Sequence, residues 1–208
     1  MKTLEAIKKR RSTRQYLDKD IEFSKIAEII EAGSYAPNAG NLQNWKFIIV
    51  KDKANIQKIA ETCLEQYWMA SAPAMIVVCS EDERSEKYYG DRGKQIYNIQ
   101  NCAAAAQNIV LAATDLGLAT CWVSAYKEEN IRHILNMPAN TTPQVVITIG
   151  YSKEVPQEKY MLELKDLFYF DSWGTTIKNL ERIMGIESTT LKEIFKKGKE
   201  LLTKVIKK

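Results

Sequence analysis

The run Ile96-Tyr97-Asn98-Ile99-Gln100-Asn101-Cys102-Ala103-Ala104-Ala105-Ala106-Gln107-Asn108-Ile109-Val110-Leu111-Ala112-Ala113-Thr114-Asp115-Leu116 decides the fold class. It is apolar almost all round the helical period, which marks a buried central helix packed closely through its alanines. Gly117 supplies its stop. Before it, behind Pro73, stands Ala74–Cys79, a short continuous apolar run expected to be a strand buried on both faces. After it come two further strands, Leu118–Ser124 and Gln144–Gly150, and a short helix, Glu128–Leu135. Toward the N-terminus, residues 3–11 and Ser24–Ala32 read as helices, the second with Ile26, Ile29 and Ile30 inward and Gly33 as its C′ residue. Trp45–Lys51 is β-rich, and Asp52 caps a helix of roughly 53–68 whose Ile56, Ile59, Ala60, Cys63, Leu64 and Tyr67 keep the helical period. Residues 80–94 are polar and read as an excursion or lid. Strands separated by helices, without internal repeats or a dividing linker, argue for an α/β or α+β fold.

The 208 residues suit one domain with embellishments, and 45% hydrophobic with 27% charged residues is the balance of a globular chain. The formal net charge of +4 is too mild to imply a nucleic-acid partner. Much of it belongs to the tail, where seven lysines from Lys192 to Lys208 face Glu193 and Glu200. From Thr189, Leu191, Ile194, Phe195, Leu201, Leu202 and Val205 follow the helical period with lysines opposite. Such a basic amphipathic helix can pack on its own protein, an acidic partner or a membrane surface. No apolar run reaches the ~20 residues of a membrane span, and Met1–Arg14 is charged and lacks the apolar core of a signal peptide. The chain is therefore expected to be cytoplasmic, without a membrane or nucleic-acid partner.

The single histidine, His133, excludes a multi-histidine metal site and obliges any Ser-His-Asp or Cys-His device to run through it. Cys63, Cys79, Cys102 and Cys121 form no CxxC pair, and each lies in an apolar stretch, as a buried structural cysteine does. No metal is expected. Three segments could carry chemistry. Arg10-Arg11-Ser12-Thr13-Arg14 offers three guanidiniums and a hydroxyl to a multiply charged anion, or simply ends a basic helix in solvent. Pro37-Asn38-Ala39-Gly40-Asn41-Leu42-Gln43 places two carboxamides, Asn41 and Gln43, where they could meet a polyol or heterocycle edge, or forms a plain Asn/Gly turn. Gly117–Ala125 combines small residues with a strand end, allowing a flat ligand to approach the backbone. Cys121 as a nucleophile lacks an activating neighbour in the sequence.

These segments together resemble the FMN-dependent nitroreductase family. The resemblance runs through Arg-Arg-Ser-x-Arg, Ala-Pro-x-x-x-Asn-x-Gln-x-Trp, Gly-Leu-x-Thr-Cys-Trp and the Gly-Tyr after the last strand, in order over about residues 3–174. It implies an α+β protein, a three-layer α-β-α sandwich with a central mixed sheet, acting as a homodimer with FMN at the interface. An FMN-binding domain over 1–174 and a C-terminal helical extension over 175–208, packed on the same chain or its partner, follow from it. Arg10, Arg11, Ser12 and Arg14 match the group that holds the FMN phosphate and reaches the flavin's polar edge. Pro37, Asn38 and Ala39, with Asn41 and Gln43, match a loop that packs on the flavin from the partner subunit. Trp122, Val123, Ser124 and Ala125 match the segment beside the isoalloxazine, and Lys159 a basic residue returning to the phosphate. Asn38, Asn44, Asn101, Ala119 and Met161 depart from the family's usual residues.

The implied activity is that of an NAD(P)H oxidoreductase, which reduces nitroaromatics, quinones or similar acceptors by ping-pong hydride transfer. The cofactor would supply the redox chemistry, so no catalytic side chain is required. Acceptor choice would fall to the 81–97 excursion, with Tyr88, Tyr89 and Arg92. The same scaffold would also suit an FMN-storing or regulatory protein, a dehalogenase or a flavin-modifying enzyme.

Overall fold

In a computed structural model of the chain, β1 (Trp45–Val50), β2 (Ala74–Glu81), β3 (Ala119–Val123) and β4 (Thr141–Gly150) form one sheet in the order β1-β2-β4-β3. The structure describes residues 1–155, 157, 159–163 and 166–176. The chain divides into two compact units, Met1–Gln157 and Glu158–Lys208, and the sheet belongs to the first. In the second, the rings of Phe168 and Phe170 meet edge to face at 5.3 Å. The basic amphipathic helix expected from Thr189 lies outside the described residues.

All three ladders are antiparallel, so the expected mixed sheet is corrected to an antiparallel one. Among the described residues the only parallel pairing is an isolated bridge between Ser12 and Thr120 on the outer side of β3. The cause is visible between β1 and β2. Val50 faces Met75, so the excursion over 51–73 leaves and re-enters the sheet at the same end, whereas a parallel strand must begin at the opposite one. A register shift at Val78/Cys79 leaves Gln144 as the extra residue of a β-bulge in β4.

β2 is buried along almost its whole length, as its continuous apolar character requires. Its alternate residues enter different cores. Ala74, Ile76 and Val78 pack with α2 (Phe23–Ser34) and α5 (Asn98–Asp115), while Met75, Val77 and Cys79 pack with α3 (Lys53–Thr62) and α6 (Glu128–Ile134). The remaining helices are α1 (Thr3–Lys9) and α4 (Asp82–Arg92). Among the described residues no helix is long and apolar enough to cross a membrane.

Two further expectations are corrected. Gly33 does not stop α2 but lies buried inside it, because a Cβ there would stand 2.8 Å from Ile109 Cγ1 on α5. Its lack of a side chain lets the two helices approach. The helix expected over 53–68 ends at Thr62, where Leu64 and Glu65 turn left-handed (φ 56° and 57°), and a 3₁₀ turn follows over Tyr67–Ser71. That reversal brings Met69 into the same core as Ile59, from which a straight helix would hold it about 15 Å away. The polar excursion, for which the sequence indicates no element, contains α4, joined to α5 by a π-turn over Gly93–Tyr97.

Asp52 caps α3 as expected, accepting a 2.8 Å hydrogen bond from the Asn55 N–H. Asp52→Ala should therefore lower unfolding free energy by about 1 kcal/mol, and Asp52→Asn by far less. Urea unfolding followed by circular dichroism checks this, and equal losses in the two variants would refute the cap.

Candidate functional site

The arginine-rich segment follows α1 in extended backbone and is stitched to the sheet's outer strand. Thr13 donates its N–H to Thr120 O at 3.0 Å, beside the Ser12–Thr120 bridge. Tyr16 anchors the far end. Its buried hydroxyl bonds to Thr13 O at 2.8 Å and Thr148 Oγ1 at 2.7 Å, and burial raises the phenol's pKa well above its ordinary value. Because Thr120 turns its carbonyl away from β4, Trp122, two residues along, turns its own N–H and C=O to the same open edge. Trp122 is 37% exposed there, and its indole donates to Ser124 Oγ at 2.8 Å.

The three arginines differ. Arg11 spends its guanidinium on carbonyls, those of Gln157 (3.0 Å), Lys8 (2.6 Å) and Arg10 (2.9 Å), and so ties off the end of α1. Arg14 gives its backbone N–H to Glu154 Oε1 and stacks its guanidinium 5.7 Å from the Trp68 ring centre. Arg10 is half-buried, and its guanidinium has no acceptor among the described residues. Cys121 lies on this strand with a thiol pushed up by burial, an effect opposed by Arg14, Ser12 and Arg10. Cys63 and Cys79 are pushed up to about 12 by burial, and Cys102 is raised likewise. All four cysteines are free and buried.

The carboxamide loop stands elsewhere. Gly40, Asn41 and Gln43 are left-handed (φ 56°, 52° and 49°), and the loop's own amides hold that shape. Asn38 Oδ1 accepts from the Gln43 N–H at 2.8 Å, and Gln43 Nε2 donates to Asn41 Oδ1 at 3.2 Å. Pro37 is exposed, and the Ala39 N–H donates to Asn101 Oδ1 at 3.0 Å. The Tyr89 hydroxyl sits so close to Gly40 that a Cβ there would collide with it. Tyr89 in turn meets the Tyr97 ring edge to face at 5.2 Å, and Arg92 Nε donates to the Tyr97 hydroxyl at 3.1 Å. Tyr88 points into solvent, 63% exposed.

The structure thus assembles the expected site residues into two groups. Arg10, Ser12, Arg14 and Trp122–Ala125 gather along β3, at one edge of the sheet. Residues 37–43, with Tyr89, gather around the entry to β1, at the other edge. Among the described residues no hydrogen bond joins the two groups. Lys159 belongs to the second unit. His133 lies on α6, in a cleft of about 630 Å³ lined also by Lys58, Glu61 and Lys127. Among the described residues no group of three His, Cys, Asp or Glu side chains could hold a metal ion.

Sequence reasoning gave no role to the residues bonded behind these groups: Thr13, Tyr16 and Glu154 behind the first, and the buried amides Asn101 and Asn44 behind the second. Asn44 and Asn101, two departures from the family pattern, are hydrogen-bonded to each other at 2.9 Å.

The Nitroreductase family model matches residues 7–68 and 61–151. A candidate NADH dehydrogenase/NAD(P)H nitroreductase of Archaeoglobus fulgidus is 37% identical over 169 residues, covering 79% of this chain and 92% of that protein. Among solved structures, a candidate NADH dehydrogenase/NAD(P)H nitroreductase from Parabacteroides distasonis superposes with a TM-score of 0.74 at 30% identity, over 82% of this chain and 98% of that one. An FMN-dependent nitroreductase from Clostridium difficile superposes with a TM-score of 0.70 at 27% identity, over 82% of this chain and 99% of that one.

Proposed function

This chain belongs to the nitroreductase family, and on that premise we propose that it is an FMN-dependent NAD(P)H oxidoreductase acting as a homodimer on nitroaromatic, quinone or similar acceptors. The observation that carries the cofactor is the edge of β3. There a half-buried arginine without a described partner, a second arginine and a hydroxyl stand beside an exposed indole and outward-turned backbone groups. That donor set fits a flat heterocycle ending in a phosphate. Arg10, Arg14 and Ser12 would hold the phosphate, and the 122–125 backbone would meet the ring's polar edge. Arg11 would act one step back, by fixing the turn that presents Arg10.

Bound FMN would take hydride from NAD(P)H and pass it to the acceptor in separate half-reactions. The protein's part is binding, orientation and charge: cations at the phosphate end and N–H donors along the ring favour negative charge on the reduced ring system. The opposite placement of the two residue groups supports the dimer. If loop 37–43 of one subunit faces β3 of the other, both groups meet at one site. Helices on both faces of the sheet support the three-layer arrangement.

Purified protein should be yellow or become so with added FMN. The flavin absorbance should bleach with NADH or NADPH without oxygen and return on adding a nitroaromatic or quinone. Protein that cannot be loaded with FMN would refute the reading, and turnover no faster than that of free FMN would reduce it to flavin binding.

A further inference from the structure

The hydrogen bonds from Ala39 to Asn101 and from Asn101 to Asn44 are the outer links of a longer buried polar network between α4, α5 and the foot of loop 37–43. Asn98 and Asn101 project from one face of α5, three residues apart, and Asn44 precedes β1. All three are buried, as are Asp82, Ser80 and Ser85. Their hydrogen bonds form one directed chain. The Ala39 N–H donates to Asn101 Oδ1 (3.0 Å), Asn101 Nδ2 to Asn44 Oδ1 (2.9 Å), Asn44 Nδ2 to Asn98 Oδ1 (2.6 Å), and Asn98 Nδ2 to Asp82 Oδ1 (2.9 Å). Asp82 also accepts from Ser80 Oγ (2.7 Å) and Thr142 Oγ1 (2.5 Å), and Ser85 Oγ donates to Asn98 Oδ1 (2.5 Å).

Both ends of the chain are fixed. A backbone N–H can only donate, and a carboxylate can only accept. Every amide between them is therefore oriented: flipping any one sets oxygen against oxygen or nitrogen against nitrogen. Such a satisfied buried network is rigid, and a defect in it is costly. Its outer terminus is the loop that turns left-handed at Gly40, Asn41 and Gln43, conformations that residues other than glycine hold only with support. Its root, Asp82, begins α4, the helix whose Tyr89 hydroxyl rests on Gly40.

We propose that Asn101 is a positioning residue. Through the Asp82–Asn98–Asn44 chain it fixes the Ala39 N–H, and so presents loop 37–43 in the shape required at the flavin, with α4 set against the loop as one body. The flavin clause rests on the function proposed above.

Two variants of the dimeric protein test it. Asn101→Ala removes both bonds. Asn101→Asp keeps an oxygen for the Ala39 N–H but sets its other oxygen, in place of Nδ2, against Asn44 Oδ1 and buries a second carboxylate. If Asn101 only stabilised the fold, the Asp variant would be the worse of the two in every measurement. A positioning role reverses the order for the cofactor: Asn101→Asp melts lower, yet binds FMN within roughly twofold of wild type, while Asn101→Ala binds roughly tenfold more weakly, the scale of one lost hydrogen bond. FMN fluorescence titration reads the affinities. Amide hydrogen exchange without FMN gives a second readout, in which the Ala39 amide is protected in wild type and Asn101→Asp but exposed in Asn101→Ala. Wild-type FMN affinity in Asn101→Ala, equal weakening in both variants, or an unprotected Ala39 amide in folded wild type would overturn the assignment. Should Asn101→Ala not fold, the Asp variant's affinity and the wild-type Ala39 amide still decide. A wild type that binds no FMN refutes the flavin reading instead, and the exchange comparison then judges Asn101 alone.

Discussion

Ile109→Ala is expected to destabilise the fold by about 2–5 kcal/mol, and a second change, Gly33→Ala, is expected to recover part of the loss. Ile109 is fully buried on α5 and fills the space left by the missing side chain at Gly33. A Cβ at residue 33 would stand 2.8 Å from Ile109 Cγ1, 3.1 Å from Cδ1 and 3.4 Å from Phe47 Cζ. In the wild-type background Gly33→Ala forces those atoms apart, costing about 1–3 kcal/mol, against which alanine's better helix propensity returns about 1 kcal/mol. Once Ile109 is truncated the two colliding carbons are gone, and the new methyl lies in the cavity they leave. The double variant should therefore be more stable than the sum of the two single changes by about 1–2 kcal/mol, within the usual range for touching residues. Urea unfolding of the four proteins at one fixed concentration measures the cycle. Additivity within about 0.5 kcal/mol would show that the two helices do not meet as described.

That pair also shows where a sequence stops being readable. A glycine after a periodic run is the ordinary sign of a helix end, and nothing near Gly33 distinguishes that from a close approach to Ile109, far along the chain. The features that could be read were local ones: the period of α5, the continuous apolar run of β2 and the Asp52 cap. Strand direction was not, because the return of the 51–73 excursion to its starting end depends on the reversal at Leu64 and Glu65, residues with no turn signature. α4 was hidden for another reason. It buries only Asp82 and Ser85, so no apolar period betrays it. Within the candidate site, the arginine cluster was legible as a cluster, but not the division of labour inside it. Asn98 and Asn101 stood three apart on α5, but Gln100, Gln107 and Asn108 on the same helix are polar too, and nothing in the sequence marked the first two as buried. Their partners Asn44 and Asp82 come from distant positions and emerge only with the fold.

The division among the arginines makes the sharpest test of the site. Arg10→Ala should weaken FMN binding by about 1–3 kcal/mol, roughly 5–150-fold, the scale of a lost hydrogen bond to a charged group. Arg10 has no acceptor among the described residues, so its removal should leave unfolding free energy within about 0.5 kcal/mol of wild type. Arg11→Ala should behave in the opposite way. It removes hydrogen bonds to the carbonyls of Lys8, Arg10 and Gln157, so its first effect is on the order of the turn, and cofactor affinity falls less than in Arg10→Ala. Arg10→Lys should lie between Arg10→Ala and wild type, since an ammonium keeps the charge but not the planar fork that grips two phosphate oxygens. FMN titrations at low and high salt, run beside urea unfolding, separate the three. A guanidinium–phosphate contact at Arg10 would be partly electrostatic, so the gap between wild type and Arg10→Ala should narrow as salt screens it. Unchanged affinity in Arg10→Ala, or a larger loss in Arg11→Ala, would move the phosphate away from Arg10 and leave the β3 edge without its principal anion contact.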